Sequence, residues 1–316
     1  MATTTNITTT YAGESANKWV AAALLSAPTL ANNLIEIMPN VKYKAVMHKL
    51  ATTGLLKDQS CDFDPTSTVT ITERILTPKE LSVNVQLCKK NFIDTWQAME
   101  MGYSAHDVLP KSFADYLLGY MADKVAAANE ASIWAGDATN SGEFDGFATL
   151  MALDASLPAA QEVTGTTLTA ANIITELGKV VDATPDEVYS QPNFRIYISQ
   201  NAYRLYLRAL GGFGSSGLGA NGYDNKGNNQ KLDSLLFDGV PLVVVNGLGA
   251  NQMIATYKEN LTFGTGLLSD HNEVKLLDMS ELDGSDNVRI IMKMNAGVQY
   301  ASIEDCVTYG IVNGAN

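Results

Sequence analysis

The sequence is short of charge, and shortest of positive charge. Charged residues make up 17% of its 316 positions, against roughly 25% in an ordinary globular chain. So little charge goes with a small solvated surface, or with surface hidden against partners. Lys and Arg number 21 against 34 Asp and Glu, a formal charge of −13. That excludes a protein whose main work is to grip nucleic-acid phosphates with a basic face. Cysteine is scarce too. Cys61, Cys88 and Cys306 are odd in number, far apart, and form no CxxC. This spacing argues against a disulfide scaffold and a zinc site, and favours a reducing compartment. Long apolar runs are also missing. None reaches the ~18 residues a membrane span needs. The polar opening MATTTNITTTY has neither the basic nor the apolar region of a signal peptide.

What is present is a core. Hydrophobic residues reach 46%, and the length suits one large domain or two ordinary ones. The acid is unevenly spread. Residues 1–130 carry 11 Lys+Arg and 13 Asp+Glu, whereas residues 131–316 carry 10 and 21. One part is nearly neutral and the other strongly anionic, which suits a molecule with two unlike environments.

Six of the first ten residues are Thr. A tail with so little to bury orders only against a neighbour, which points to an assembly. Ser15 to Leu25 predicts a helix ended by Pro28, and Tyr43 to Leu50 a strand. After the polar stretch 51–66 a two-residue period takes over. Val69 and Ile71 face one way. Leu81, Val83, Val85 and Leu87 alternate with Ser82, Asn84 and Gln86, which predicts a half-buried antiparallel pair. A hairpin over 43–90 has too little core of its own and must lie on something else.

Asp107 can cap a helix that tolerates Pro110 in its first turn. The apolar stripe then runs through Phe113, Tyr116, Leu117, Tyr120, Met121, Val125 and Ala128 to Ile133 and Trp134. Gly136 suits the C′ position. Such a helix, 108–135, would be roughly 40 Å long. A turn-rich loop, 136–147, follows. Further on, the patterns predict helices at Thr169–Val181 and Gln200–Leu210. They predict strands at Phe194–Ile198, Leu242–Val245, Met253–Tyr257, Val274–Leu277, Val288–Met294 and Val298–Ser302. There is no internal repeat.

The motifs that could carry chemistry fail on context. Gly212, Gly214 and Gly217 have dinucleotide spacing, but they follow a helix instead of a strand. Gly222 and Gly227 have P-loop spacing, but Asn228 stands where the lysine belongs. Residues 211–230, with seven glycines and four asparagines, read as a flexible loop. His48, His106 and His271 lack His or Cys neighbours at metal-ligand spacing. Asp278, Glu281, Asp283 and Asp286 miss the calcium-loop register, because Gly284 at position 6 would put Met279 at position 1. They read as a solvated turn. Lys42, Lys44, Lys49 and Lys57, set against Glu36 and Asp58, form a solvated strand face or a contact for an acidic neighbour. Four lysines are few for phosphate binding. No catalytic, cofactor-binding or metal residue is nominated, and no cofactor is expected.

Four local pieces remain, and their order carries a resemblance. They are Leu81-x-Val83-x-Val85-x-Leu87 leading into Phe92; Trp134-Ala135-Gly136-Asp137 followed by Phe144-Asp145-Gly146-Phe147; Phe194-x-Ile196-x-Ile198-Ser199 followed by Tyr203; and Phe237-Asp238-Gly239-Val240-Pro241. Over about residues 15–310 the chain resembles the major capsid proteins of tailed bacteriophages, which share the α+β Hong Kong 97 fold. The resemblance implies an N-terminal arm (1–42), an extended E-loop over the adjacent subunit (43–90) and a peripheral domain (91–164) with helix 108–135 as its spine. It implies an axial domain (165–278), with loop 211–230 near the capsomer axis, and returning peripheral strands (279–316).

By the same resemblance, copies would form hexamers and pentamers of an icosahedral shell around double-stranded DNA. That is a structural role without catalysis and without a membrane. The location would be the virion, with assembly in the host bacterial cytoplasm. Partners would be a portal and separate scaffolding or decoration proteins, since no scaffolding segment precedes the arm. Some members of that family crosslink a lysine to an asparagine. Lys57 and Asn295 lie in comparable regions, but their flanking residues do not support pairing them. The competing readings are an encapsulin-like nanocompartment shell and, from another class, an α+β enzyme with a cryptic site.

Overall fold

The computed structural model describes residues 28–41, 43–56, 58–59, 61, 67–88, 111–210, 236–266, 275–280 and 284–314, without the side chains of 28, 111–118, 122 and 275–276. The helix expected at 15–25, the cap at Asp107, loop 211–230, His106 and His271 lie outside the described residues. The chain begins with α1 (Pro28–Ala31), β1 (Glu36–Met38), β2 (Ala45–Thr53), β3 (Thr68–Leu76), β4 (Lys79–Cys88) and α2 (Lys111–Ala135). It continues with α3 (Phe147–Ala152), β5 (Glu162–Val163), α4 (Ile173–Asp182), α5 (Asp186–Tyr189), β6 (Phe194–Ser199) and α6 (Gln200–Ala209). The last strands are β7 (Leu236–Phe237), β8 (Val240–Val245), β9 (Met253–Tyr257), β10 (Leu261–Thr265), β11 (Lys275–Asp278), β12 (Asn287–Tyr300) and β13 (Val307–Tyr309).

Strand β12 carries the first sheet. Its even-numbered residues from Val288 to Tyr300 are all buried. Strand β4 lies antiparallel along one edge, setting Leu81, Val83, Val85 and Leu87 opposite Met294, Met292, Ile290 and Val288. Strands β11 and β10 follow one another along the other edge, and β1 pairs parallel with β10. Two expectations are corrected here. Residues 81–87 do not pair with 69–71. Strand β3 pairs with β2, and β4 leaves for β12. The physical reason is that β12 offers β4 a continuous apolar row, which the threonine-rich β3 does not. Nor are 288–294 and 298–302 separate strands. Ala296 is held between Lys79 and Thr265, and Gly297 lies opposite Gly264, so the apparent break stays extended. Both β10, fully buried, and β1 escaped the sequence patterns.

The second sheet has the order β5-β13-β9-β6-β8-β7. It is buried on both faces. Ile196, Ile198, Met253 and Ala255 pack with residues of α4 and α6 such as Leu177 and Tyr206. Tyr197 and Ile254, pointing the other way, join the core of the first sheet. Strands β6 and β9 are therefore shared by two cores, which explains why they read as near-continuous apolar runs. The turn between β7 and β8 is Asp238-Gly239, both at positive φ, as a two-residue hairpin turn of right-handed twist requires. Helix α4 starts later than Thr169, because the Asn172 side chain accepts from the Thr169 N–H and hydroxyl and holds 169–172 as a cap.

Helix α2 has 25 residues, about 37 Å at 1.5 Å per residue. Its burial departs from the apolar stripe. Ala128 is exposed, whereas Asn129, Glu130 and Ser132 are buried beside Ile133 and Trp134. Glu130 is held by α1. Its carboxylate accepts from the Thr29 hydroxyl at 2.5 Å and from the Thr29 N–H at 3.3 Å. Trp134 Nε1 donates to the same hydroxyl at 2.9 Å. Burial pushes the Glu130 carboxyl above the usual range, and these bonds only partly oppose it. Gly136 ends the helix for a reason other than a left-handed backbone. A Cβ there would lie 2.3 Å from the Phe144 carbonyl oxygen, and one at Gly146 2.6 Å from that of Ser132. The glycines let the loop cross the helix end at contact distance.

Trp134 is the centre of this core. Its ring lies 5.4 Å from that of Phe147 and 5.0 Å from that of Tyr197. Tyr197 donates its hydroxyl to the Leu34 carbonyl at 2.8 Å. We expect Trp134→Ala to lower stability by about 3–5 kcal/mol, read as a fall in the urea midpoint of the purified chain.

Candidate assembly interface

Among the described elements, the hairpin β2–β3 turns an apolar face away from its own body. Its register pairs Val46 with Ile75, His48 with Glu73, Leu50 with Ile71 and Thr52 with Val69. Side chains alternate across a strand, so Val46, Leu50, Val69, Ile71 and Ile75 share one face. All five are between 45% and 63% exposed. Towards the tip Leu55 and Leu56 are exposed as well. The opposite face carries Met47, Lys49, Arg74 and Leu76 near the base. Further out both faces are exposed, with Ala51, Thr53, Thr68, Thr70 and Thr72 on the second one.

The base is fastened by ions and by one apolar plug. Arg74 meets Asp154 at 2.5 Å and stacks over Tyr300, its guanidinium carbon 5.1 Å from the ring centre. Tyr300 donates its hydroxyl to the same carboxylate at 2.6 Å. Burial pushes the Asp154 carboxyl up. The Tyr300 hydroxyl, the Ser156 N–H and Arg74 together outweigh it and hold the group below the usual aspartate range. On β2, the Lys49 ammonium donates to Ser302 Oγ at 2.6 Å and to Asp305 at 3.0 Å. Tyr257 donates to Asp305 at 2.9 Å. Between these anchors Leu76 is fully buried over Gly264. A Cβ at residue 264 would lie 2.3 Å from a Leu76 methyl, so the missing side chain makes the socket.

The residues singled out by sequence do not converge on a chemical site. His48 lies on the outer hairpin face, 3.6 Å from Glu73. Lys44 stacks on Tyr43, and Lys49 binds acids of its own chain rather than a neighbour's. Asp278 accepts from the Ser280 N–H and hydroxyl in a local turn. Asn295 lies opposite Glu80 in the first sheet. Lys42, Lys57, Glu281, Asp283 and the glycines of 211–230 lie outside the described residues. Among the described residues no group of three or more His, Cys, Asp or Glu is placed to hold a metal ion. No described helix is long and apolar enough to cross a membrane. Sequence reading missed the outward face and its anchors. Pairing 45–53 with 68–76 would have found the face, since Val46, Leu50, Val69, Ile71 and Ile75 then line up.

No family model matches the sequence, and no curated protein matches it. Solved structures do match, over nearly the whole chain. The capsid of a native GTA particle, computed with C5 symmetry, aligns with a TM-score of 0.61 at 13% identity, covering 98% of this chain and 95% of that one. The capsid structure of cyanophage P-SCSP1u aligns with a TM-score of 0.54 at 12% identity, covering 92% and 91%. A structure from Mycobacterium phage Bobi aligns with a TM-score of 0.56 at 16% identity, covering 98% and 96%. The chain has the Hong Kong 97-type capsid fold.

In this capsid fold the base of the hairpin is joined to the body by the buried Leu76 and Met47 and by the ion pairs of Arg74 and Lys49, so part of its attachment is electrostatic and pH-dependent. A carboxyl held below its free value stabilises fully above the free value of about 3.9 and loses that contribution as pH falls through the lower, folded one. Arg74→Gln is expected to speed amide exchange in β2 and β3 by about tenfold, with the rest of the chain unchanged. In the unassembled wild-type subunit, exchange corrected for its intrinsic pH dependence should stay level from pH 7 to 5 and accelerate in the hairpin below about pH 4.

Proposed function

We propose that the chain is the major capsid protein of a tailed bacteriophage. Copies assemble as hexamers and pentamers into an icosahedral shell that encloses double-stranded DNA. The work is done by burial of surface between copies, not by catalysis. One observation carries the reading: in a capsid-type fold, the hairpin is fastened by its polar face and presents its apolar face outward. A second copy of the same chain is the natural occupant, because a shell repeats one subunit and every copy exposes the same stripe. Five side chains of this size, already half-buried, gain on the order of 1 kcal/mol each when covered.

In this reading residues 1–42 are the arm, 43–90 the E-loop region, 91–164 the peripheral domain and 165–278 the axial domain, with 279–316 returning. Strand β4 is then the part of the E-loop region that stays in its own subunit, and β2–β3 the part that reaches out. The protein resides in the virion after assembly in the host cytoplasm. A portal and separate scaffolding or decoration proteins are its further partners.

Negative-stain microscopy of the purified chain tests the reading directly, with closed shells or capsomers as the expected result. Leu50→Asp combined with Ile71→Asp should leave a folded, soluble subunit that does not close shells. Deleting residues 52–66 should do the same. Normal particles from either variant would remove the hairpin from the interface.

A further inference from the structure

The outward stripe has one polar rung. His48 and Glu73 lie opposite each other in the register, between the rungs Val46–Ile75 and Leu50–Ile71. Their nearest ionisable atoms are 3.6 Å apart, and their side chains are 57% and 60% exposed. In the isolated chain water screens this pair, and it contributes little. Once the apolar rungs on both sides are covered, the pair is covered with them. A desolvated carboxylate facing a neutral imidazole has no attraction to offset its desolvation, whereas in the charged pair mutual attraction offsets part of it.

From this geometry we infer that the His48–Glu73 rung makes association of copies through the hairpin pH-sensitive, strong where the imidazole is protonated and weaker where it is not. The inference rests on the proposal that a second copy covers this face. The surrounding charges do not replace the pair. Lys49 and Arg74 point to the opposite face and are held by Asp305 and Asp154. Across the cleft beside β2 stand Glu187, Glu304 and Asp305. All three are acids, so none can neutralise Glu73. The sign follows from linkage. Association that favours the protonated imidazole is fully present below the range in which histidine loses its proton and fades as pH rises through it.

The test is sedimentation velocity and light scattering of the purified chain from pH 5.5 to 8.5 at constant ionic strength. The reference is the double variant His48→Gln with Glu73→Gln, which carries the background dependence of the other acids. Relative to it, the wild type should need about tenfold more protein for half-association at pH 8.5 than at 5.5, the effect of one unpaired covered charge. Glu73→Gln alone should reverse the trend, because the covered imidazolium then lacks a partner. His48→Lys should abolish the loss at pH 8.5. Wild-type and double-variant curves that run parallel would overturn the inference. The two levels separate cleanly. If Leu50→Asp associates normally, the face is not an interface and the functional reading falls with the inference. If Leu50→Asp blocks association while the curves run parallel, only the role of the His48–Glu73 rung falls.

Discussion

Strand β4 can join only one partner along each edge, and it joins β12. Ten consecutive register pairs, from Asn287–Cys88 to Ala296–Lys79, commit it there. The described chain places no strand along the other edge of β4, and β2 and β3 form a two-stranded sheet with no third strand. Two strands alone are marginal in water, so the ribbon needs support from outside its own hydrogen bonds. Its base finds that support in Leu76, Arg74 and Lys49. Its outer half does not find it within the described chain.

The polarity of the attachment is the reverse of the usual one. A hairpin packed on its own domain ordinarily turns its apolar face inward and its ions to water. Here the ions face inward. Asp154 is held by Arg74, Tyr300 and Ser156, and Asp305 by Lys49 and Tyr257. These acids would cost more to bury alone than paired, because an unpartnered buried charge has nothing to offset its desolvation. At the base the inner face combines these directional contacts with the buried Met47 and Leu76, while Val46, Leu50, Val69, Ile71 and Ile75 lie on the outer face. Amphipathicity is kept, but its apolar side is left uncovered by the described chain.

Much of this was legible in the sequence, and the failures have causes. Alternation exposed β4, and the apolar runs of β6, β8 and β9 were found because two cores share that sheet. The low charge and the threonine-rich start already pointed to surface used against partners. Strand pairing was not legible: alternation at 69–71 and 81–87 says that each is a strand, not which strand each one meets. Strand β10 was missed because LTFGT carries a glycine that reads as a breaker until Leu76 is seen filling its place. Glu130 was missed because no periodicity announces a buried carboxylate whose partner, Thr29, lies 101 residues away. Gly136 was placed well at a helix end, but the reason was close approach of the Phe144 carbonyl. The outer face escaped because Val46 and Leu50 on one strand make sense only beside Val69, Ile71 and Ile75 on the other.

Charge sets the remaining condition. Each copy carries a formal −13, and copies brought together repel wherever their acids lie within a Debye length of about 8 Å at physiological salt. An interface on such a molecule must therefore avoid the acid. The hairpin does so. Residues 1–130 hold 11 Lys+Arg against 13 Asp+Glu, while the excess acid sits in 131–316. On the outward hairpin face, the described strands carry one ionisable pair of opposite sign, His48 and Glu73, between apolar rungs. On the proposal that copies meet through this face, the contact covers apolar area beside a single pair of opposite sign.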